Sequence, residues 1–110
     1  MYNQRDVVLI NFPYSDLSGV KQRPALIISN QKLNKTEDRI CCLITSNQTT
    51  NGIKIERSNF DKGDLPFQSW VKPYRLFTIH EKIIKKKLCT FTEKFHEVII
   101  NSVNTYLEKD

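Results

Sequence analysis

The sequence lacks several features that would assign it to a large functional class. It contains no apolar stretch near the ~20 residues that a membrane-spanning helix needs, so no association with a membrane is predicted. Its first residues, MYNQRD, include no apolar segment of a secretory signal, and we expect a cytoplasmic protein. A Gly-rich phosphate loop and a G-x-S-x-G motif are also absent, so neither a P-loop nucleotide site nor an α/β-hydrolase is indicated.

Cysteines and clustered metal ligands are scarce as well. The three cysteines, Cys41, Cys42 and Cys89, form no C-x-x-C pair, and their odd number argues against a disulfide framework or a zinc site. We interpret them as small buried thiols in a reducing cytoplasm. The 12 acidic residues form no obvious metal-binding cluster. We therefore expect no metal and no cofactor.

The composition that remains is that of one globular domain. The chain has 110 residues, of which 39% are hydrophobic and 26% charged, so residues 1–110 are expected to form a single domain. Lys and Arg together number 17 against 12 Asp and Glu, which gives a net charge of +5. This excess favours a polyanionic partner, nucleic acid included, without proving one.

The hydrophobic pattern predicts several short strands followed by one helix. Strands are predicted at residues 6–12, 24–29, 39–44, 53–56, 69–71 and 76–79, with Pro73 separating the last two. After these, apolar residues at helical spacing predict an amphipathic C-terminal helix, for which either Thr92 or Thr90 is a suitable N-cap. The pattern favours a mainly β fold, a strongly bent sheet or partly open barrel with a helix packed against it.

Polar side chains at the ends of two predicted strands are candidates for a binding site. Arg23 precedes the second strand, and Thr45, Ser46 and Asn47 follow the third. If these ends converge, a guanidinium fork matched to phosphate oxygens and a neutral hydroxyl donor form a compact anion site. Ordinary structural roles are the alternative, because Ser and Thr commonly end strands and Arg commonly lies on the surface.

Other residues with chemical potential give weaker signals. His80 and His96 belong to different predicted elements, which disfavours a catalytic histidine pair, and His96 is expected near the polar edge of the helix. The run at residues 85–87, three lysines, is interpreted as a solvated turn rather than a binding patch, with electrostatic steering of a ligand as the alternative. Tyr14 and Tyr74 lie beside prolines in predicted loops, where an exposed ring is suited to stacking on a base.

This arrangement resembles the MazF/PemK family of type II toxins. The similarity is carried by DVVLINFP at 6–13, KQRPALIIS at 21–29, ITS at 44–46, GDLP and SWV within 63–71, and LFTI at 76–79. It extends over about residues 5 to 107. One departure is Arg5, which stands where the family usually has a glycine that favours a tight entry into the first strand.

The resemblance implies both a fold and an activity. The implied fold is a small SH3-like barrel with a C-terminal helix, shared by MazF, PemK and gyrase-poisoning toxins, in a homodimer. The implied activity is metal-independent, sequence-specific cleavage of single-stranded RNA, which a cognate antitoxin holds inactive. In that chemistry the RNA 2′-hydroxyl attacks the neighbouring phosphate and leaves a 2′,3′-cyclic phosphate and a 5′-hydroxyl. The family's catalytic arginine corresponds to Arg23 and its catalytic hydroxyl to Thr45, with Ser46 adjacent.

The expected RNA contacts lie in two loops, at residues 14–22 and 46–52. Lys21 is expected to contact the RNA backbone, and Tyr14, Asn47 and Gln48 to line the groove. Two alternatives stay open. One is a non-catalytic SH3-like module that binds nucleic acid or peptide, and the other is a gyrase-poisoning toxin of the same fold.

Overall fold

The computed structural model describes residues 1–13 and 20–110, and in these residues it contains seven strands in one antiparallel sheet. The strands are β1 (Asp6–Pro13), β2 (Val20–Ile27), β3 (Asp38–Thr45), β4 (Ile53–Lys54), β5 (Phe60–Gly63), β6 (Trp70–His80) and β7 (Ile84–Phe91). The helices are α1 (Gln31–Asn34) and α2 (Glu93–Leu107), and 3₁₀ turns cover Arg57–Asn59 and Glu81–Ile83. The strand order is β4-β6-β3-β2-β1-β7-β5, in a curled sheet that forms a half-barrel. The mainly β fold with a C-terminal helix is confirmed.

The core consists of two hydrophobic clusters that share the strands. Val7 and Cys42 belong to one cluster, while their neighbours Val8 and Cys41 belong to the other. Successive side chains of a strand point to opposite faces, and the five longer strands β1, β2, β3, β6 and β7 each contribute to both clusters. The helix α2 adds its buried side chains to the first cluster: Phe95, Ile99 and Val103.

The start of α2 is set by Thr92. Its side-chain oxygen accepts a hydrogen bond of 3.1 Å from the backbone N–H of Phe95, which satisfies one of the free donors of the first turn. Thr90 instead lies on β7 and donates a hydrogen bond of 2.8 Å to Asp6 Oδ1. Of the two predicted N-caps, Thr92 is therefore the one used. No helix among the described residues is long and apolar enough to cross a membrane.

The second strand begins earlier than predicted. β2 starts at Val20, and Arg23 lies within it, opposite Ile10 of β1. The prediction that the strand starts at Pro24 is wrong. Pairing between β2 and β3 covers only Ala25–Ile27 of β2. Pro24 precedes these residues and pairs with β1 alone, so a residue without an N–H donor is tolerated there.

Two predicted strands are one long strand with a bulge. β6 pairs with β3 through Leu76 and Cys42, and the next pair along the ladder is Lys72 with Leu43. Residues 73–75 are therefore extra residues on β6, and Pro73 lies among them. The prediction that Pro73 separates two strands is wrong, because a bulge accommodates a residue without an N–H donor.

Two further strands lie where no strand was expected. Phe60–Gly63, in a segment predicted to be a loop, forms β5 and pairs with β7. The lysine run at 85–87 lies within β7, which lies between β1 and β5 in the sheet, so the prediction of a turn there is wrong. Both strands form their hydrogen bonds with partners that are distant in sequence, and these partners cannot be deduced from local composition.

Arg5 adopts the backbone conformation that a glycine would favour. Its φ angle is 80°, in the left-handed region, where a residue with a Cβ atom is strained by about 1–2 kcal/mol. The neighbouring structure holds this turn. The backbone N–H of Arg5 donates to Ile27 O at 3.0 Å, and its Nη1 atom donates to Phe91 O at 2.9 Å. The tight entry into β1 is thus made without a glycine.

Candidate functional site

A groove of about 440 Å³ brings several of the predicted site residues together. Its lining residues are Leu9, Lys21, Gln22, Arg23, Pro24, Ile44, Thr45, Ser46, Leu65, Pro66, Phe67, Ser69, Lys86 and Leu88. Arg23 and Lys21 come from β2, Thr45 is the last residue of β3, and Ser46 follows it. The sequence places these residues about twenty positions apart, and the sheet joins them in one wall.

The strand register explains why Arg23 and Thr45 line the same groove. β2 and β3 pair antiparallel from Ile27 with Cys41 to Ala25 with Leu43. Two more residues in the same register would bring Arg23 opposite Thr45. Both residues line the groove just beyond this ladder, so the groove has a guanidinium from one strand and a hydroxyl from the next.

The hydroxyl of Thr45 is fixed by the backbone that follows it. The Asn47 N–H donates a hydrogen bond of 3.1 Å to Thr45 Oγ1, in the turn that ends β3. Because Oγ1 acts as an acceptor in this bond, its own proton can be donated to a ligand. Thr45 is 5% exposed and Ser46 is exposed. The pair therefore offers one oriented donor at the base of the groove and one more accessible hydroxyl.

The groove combines positive charge with apolar surface. Lys21, Arg23 and Lys86 line it, and no Asp or Glu is among the described residues that do so. The apolar members of its wall are Leu9, Pro24, Ile44, Leu65, Pro66, Phe67 and Leu88. This combination suits a ligand that carries both an anionic group and flat apolar parts.

Lys86 is a member of the site that the sequence analysis missed. Two neighbouring lysines of β7 have different surroundings. Lys86 lines the groove, while Lys87 Nζ lies 3.5 Å from Asp6 Oδ2. Neighbouring residues of a strand point to opposite sides of the sheet, which separates the two side chains. A strand assignment for residues 84–91 would have revealed this, whereas the turn assignment concealed it. The loop at 65–67 was also missed, because its residues carry no reactive group.

The other predicted RNA-contact residues are placed differently. Asn47 and Gln48 are exposed in the loop after β3, next to Ser46 but outside the residues that line the groove. Lys21, expected in a loop, lies on β2. Tyr14 falls outside the described residues.

The two histidines do not join this groove in the described structure. His80 Nε2 lies 3.0 Å from Glu37 Oε2, and its Nδ1 accepts a hydrogen bond from the Lys82 N–H. His96 is buried on α2, which corrects the prediction of a place near the polar edge. Burial lowers the pKa of His96 below its usual 6.5, and the nearby positive charge of Arg5 lowers it further.

All three cysteines are buried free thiols. Burial raises the pKa of each of Cys41, Cys42 and Cys89 to about 12, so each stays protonated and weakly nucleophilic near neutral pH. Within the described part of the chain, no three His, Cys, Asp or Glu side chains are grouped so as to hold a metal ion.

A second cavity is larger but has the opposite charge character. Its volume is about 590 Å³, and Glu56, Arg57, Asp64 and Gln68 are among its lining residues. Two carboxylates beside one guanidinium disfavour a phosphate ligand. The groove that contains Arg23 and Thr45 is therefore the better candidate for an anionic ligand, despite its smaller volume.

Comparison with known proteins identifies the family. The sequence profile described as PemK-like, MazF-like toxin of type II toxin–antitoxin system matches residues 3–107. The chain belongs to this family. The match covers every strand and helix of the fold, so the PemK-like, MazF-like assignment applies to the groove as well as to the sheet. A search of curated protein sequences gives no match.

Solved structures of similar proteins share this PemK-like, MazF-like architecture. An endoribonuclease in complex with its cognate antitoxin, from a mycobacterial species, superposes with a TM-score of 0.79 at 19% identity, covering 97% of this chain and 95% of that one. MazF in a MazE–MazF crystal from Deinococcus radiodurans gives 0.76 at 15% identity, covering 96% and 95%. The Mycobacterium tuberculosis toxin MazF-mt6 gives 0.72 at 14% identity, covering 96% and 99%. At these identities the likeness establishes the shared fold.

Proposed function

We propose that this chain is the toxin of a type II toxin–antitoxin system and acts as a sequence-specific endoribonuclease on single-stranded RNA. The observation that carries the proposal is the single groove shared by Arg23 of β2 and by Thr45 and Ser46 at the end of β3. Membership of the PemK-like, MazF-like toxin family supports it. Similar folds in proteins described as endoribonucleases add further support.

In the proposed reaction Arg23 binds the scissile phosphate. The RNA 2′-oxygen attacks phosphorus, the bond to the 5′-oxygen breaks, and the 2′-proton lost is balanced by a proton gained at the 5′-oxygen. The products are a 2′,3′-cyclic phosphate and a 5′-hydroxyl. Negative charge builds on the nonbridging oxygens in the transition state, and a guanidinium fixed beside them stabilises that charge.

The proposed role of the hydroxyls is orientation. Thr45 Oγ1 already accepts the Asn47 N–H, so its proton is directed to a phosphate oxygen or to the 2′-hydroxyl. Ser46 supplies a second donor from the more exposed side of the groove. The reaction requires a 2′-hydroxyl, so DNA is not a substrate. It involves no metal ion and neither His80 nor His96.

The test is RNA cleavage in the presence of EDTA. Purified protein is incubated with a pool of single-stranded RNA of mixed sequence, and the ends of the fragments are analysed. We expect discrete fragments with 2′,3′-cyclic phosphate and 5′-hydroxyl ends. Arg23→Ala should reduce cleavage by roughly 100-fold or more, because one preformed donor to the developing charge is lost. Fragments with 5′-phosphate ends, or equal cleavage by Arg23→Ala, would contradict the mechanism.

Related assays distinguish two alternative functions from RNA cleavage. A non-catalytic module would retain the RNA pool without cutting it, and Arg23 would then be a phosphate anchor. A gyrase poison would leave RNA intact and trap cleaved DNA with purified gyrase. The hydroxyls of Thr45 and Ser46 in the groove that Arg23 lines favour the RNA enzyme, since an anchor alone requires no oriented Thr45.

The proposed partners are a cognate antitoxin and a second copy of the chain. Several large apolar side chains are exposed on β3, β6 and α2: Ile40, Tyr74, Leu76, Val98, Tyr106 and Leu107. The rings of Tyr74 and Tyr106 lie 5.7 Å apart between centroids, which joins β6 and α2 in one surface. A homodimer would cover part of this surface, and light scattering during gel filtration tests it.

The proposed setting is the cytoplasm, where cellular RNA is available to the groove. Residues 1–110 are proposed to act there as one toxin domain. The antitoxin is proposed to block the groove or its access. Co-expression with the product of the neighbouring reading frame should restore growth to cells that this chain arrests. Growth arrest without such relief would leave the antitoxin assignment wrong.

A further inference from the structure

Phe67 is an exposed aromatic residue on the wall of the groove, and the proposed reaction gives it no role. Phe67 is 71% exposed, the largest fraction among the aromatic residues that the structure describes. It lines the same groove as Arg23 and Thr45. A single exposed apolar residue is ordinary on a protein surface, but one beside an anion site is positioned to contact the ligand.

The loop that carries Phe67 is held by hydrogen bonds on the side that leads to β6. The Ser69 hydroxyl donates to the Phe67 carbonyl oxygen at 2.9 Å. The Gln68 side chain donates to Ile55 O at 2.9 Å. The backbone beside the ring is thus anchored while the ring faces solvent. Little backbone freedom beside Phe67 remains to be lost when a ligand covers the ring, which favours binding.

The surroundings of Phe67 match an unpaired nucleic-acid strand. The cationic residues Lys21, Arg23 and Lys86 line the groove, together with the apolar Leu65 and Pro66 of the Phe67 loop. An unpaired strand presents a phosphate for the cations and a flat base for the ring at every nucleotide. In a duplex both faces of each base are already covered by neighbouring bases, so the ring has no face to contact.

We propose that Phe67 is a base-stacking residue, which holds a base of the RNA strand next to the phosphodiester bound by Arg23 and Thr45. This inference rests on the proposed function and adds to it a residue that positions the unpaired RNA strand at the cut. Every base has a π-face, so stacking on Phe67 positions the strand without selecting its sequence. Sequence selection then belongs to other residues.

The first experiment compares Phe67→Ala, Phe67→Leu and Phe67→Trp with the parent. The binding probe is a labelled mixed-sequence single strand with 2′-O-methyl groups throughout, which 2′-hydroxyl attack cannot cut. Phe67→Ala should bind roughly 5- to 150-fold more weakly, the range for loss of one base–aromatic stack. Phe67→Leu, the matched apolar control, should also bind weakly, and Phe67→Trp should bind like the parent. With cleavable RNA, KM should rise in Phe67→Ala and kcat should change little.

A spectroscopic measurement distinguishes base stacking on the ring from nonspecific apolar binding. The chain has one tryptophan, Trp70, so Phe67→Trp adds a second emitter on the groove. A base stacked on that ring should quench its fluorescence when the probe strand binds. The parent, with Trp70 alone, gives the background signal. Because Phe67 is exposed, all three variants should unfold at the temperature of the parent, which removes misfolding as an explanation.

The inference is wrong if Phe67→Ala and Phe67→Leu bind the probe like the parent, or if Phe67→Leu retains full affinity while Phe67→Ala loses it. It is also wrong if Phe67→Ala weakens binding of the antitoxin but not of the strand. In each of these cases the proposed endoribonuclease stands as long as Arg23→Ala loses cleavage. Absence of RNA cleavage by the parent would instead contradict the proposed function, and the probe affinities would still report on stacking.

Discussion

Arg23 on β2 and Thr45 at the end of β3 line one groove, at positions that would face each other if the register of the two strands continued past Ala25 and Leu43. Both strands are anchored in the core through the residues that follow Arg23 and precede Thr45. The relative placement of the guanidinium and the hydroxyl is therefore set by sheet geometry rather than by a flexible loop. A site built on strands is more rigid than one built on loops.

Substitutions at Thr45 distinguish a catalytic role of its hydroxyl from a structural role. Thr45→Val keeps the shape of the side chain and removes the hydroxyl, so we predict roughly 100-fold slower RNA cleavage. The same change removes the acceptor of the Asn47 N–H and should lower the free energy of unfolding by about 1 kcal/mol. Thr45→Ser should retain most of both. Cleavage rates and chemical denaturation of the three proteins provide the measurement, and a Thr45→Val protein that loses stability but not activity would make Thr45 a purely structural residue.

Lys86 and Lys85 form a matched pair for testing phosphate contacts. Both are exposed lysines on β7, but Lys86 is the one that lines the groove. Lys86→Ala should weaken binding of a single strand and reduce the slope of log Kd against log salt concentration by about 0.7, the contribution of one phosphate contact. Lys85→Ala should leave the slope unchanged. Titrations at several salt concentrations measure both, and equal effects of the two substitutions would argue against a groove-specific contact.

Arg39 is a buried cation that supports the start of β3. It is 1% exposed, and its guanidinium donates to Tyr2 O at 3.0 Å, Thr36 O at 2.7 Å and Asp38 O at 2.8 Å. Arg39→Met leaves these carbonyl groups without their donor, so we predict a loss of about 3 kcal/mol in the free energy of unfolding.

The salt bridge of Arg39 provides its control. Arg39 Nη2 lies 3.1 Å from Glu81 Oε2, and the Glu81 side chain is 43% exposed. Glu81→Gln should cost less than about 1 kcal/mol, because solvent screens an exposed partner. Urea denaturation measures both variants. Comparable losses would mean that the ion pair, rather than the hydrogen bonds to carbonyls, stabilises this region.

The burial of the His96 ring predicts that the free energy of unfolding depends on pH. Its pKa in the folded state is lowered from 6.5 by burial and by Arg5, and neither ring nitrogen has a hydrogen-bond partner in the described structure. The unfolded chain therefore binds the proton more readily, so stability falls as pH drops below about 6.5. His96→Leu removes the titrating group and fills a similar volume. It should be as stable as the parent near neutral pH and more stable at about pH 5.

Thermal unfolding at both pH values measures this difference between His96→Leu and the parent. Other titrating groups are common to the two proteins and cancel in the comparison. A difference that is the same at both pH values would show that His96 does not titrate in this range.

The local pattern was sufficient for elements whose apolar residues form a continuous run or a regular helical stripe. β1 ends at Pro13 as the sequence indicates, and α2 carries its apolar residues at helical spacing. For these segments the run of apolar residues in β1 and the helical period in α2 are enough to identify the element. Arg23 and Thr45, which the family resemblance indicates as the catalytic pair through short local motifs, line one groove.

Elements whose partners are distant in sequence could not be found in this way. β5 and β7 pair with each other across the chain, and their polar residues resemble loops and turns when read locally. The bulge at residues 73–75 made one strand look like two. The choice between Thr90 and Thr92 as N-cap depended on whether β7 continued through Thr90.

The sequence by itself determined the mainly β class of fold and the C-terminal amphipathic helix, because these follow from side-chain type and period. It also indicated the arginine and the hydroxyl of the candidate site, Arg23 and Thr45, through short local motifs. Only the tertiary structure decided that Lys86 and Phe67 share the groove with them. Their places depend on which strands pair and in which register, and hydrogen bonds between distant segments set both. Nothing in the local sequence of the lysine run distinguishes Lys86, which lines the groove, from Lys87, which forms an ion pair with Asp6.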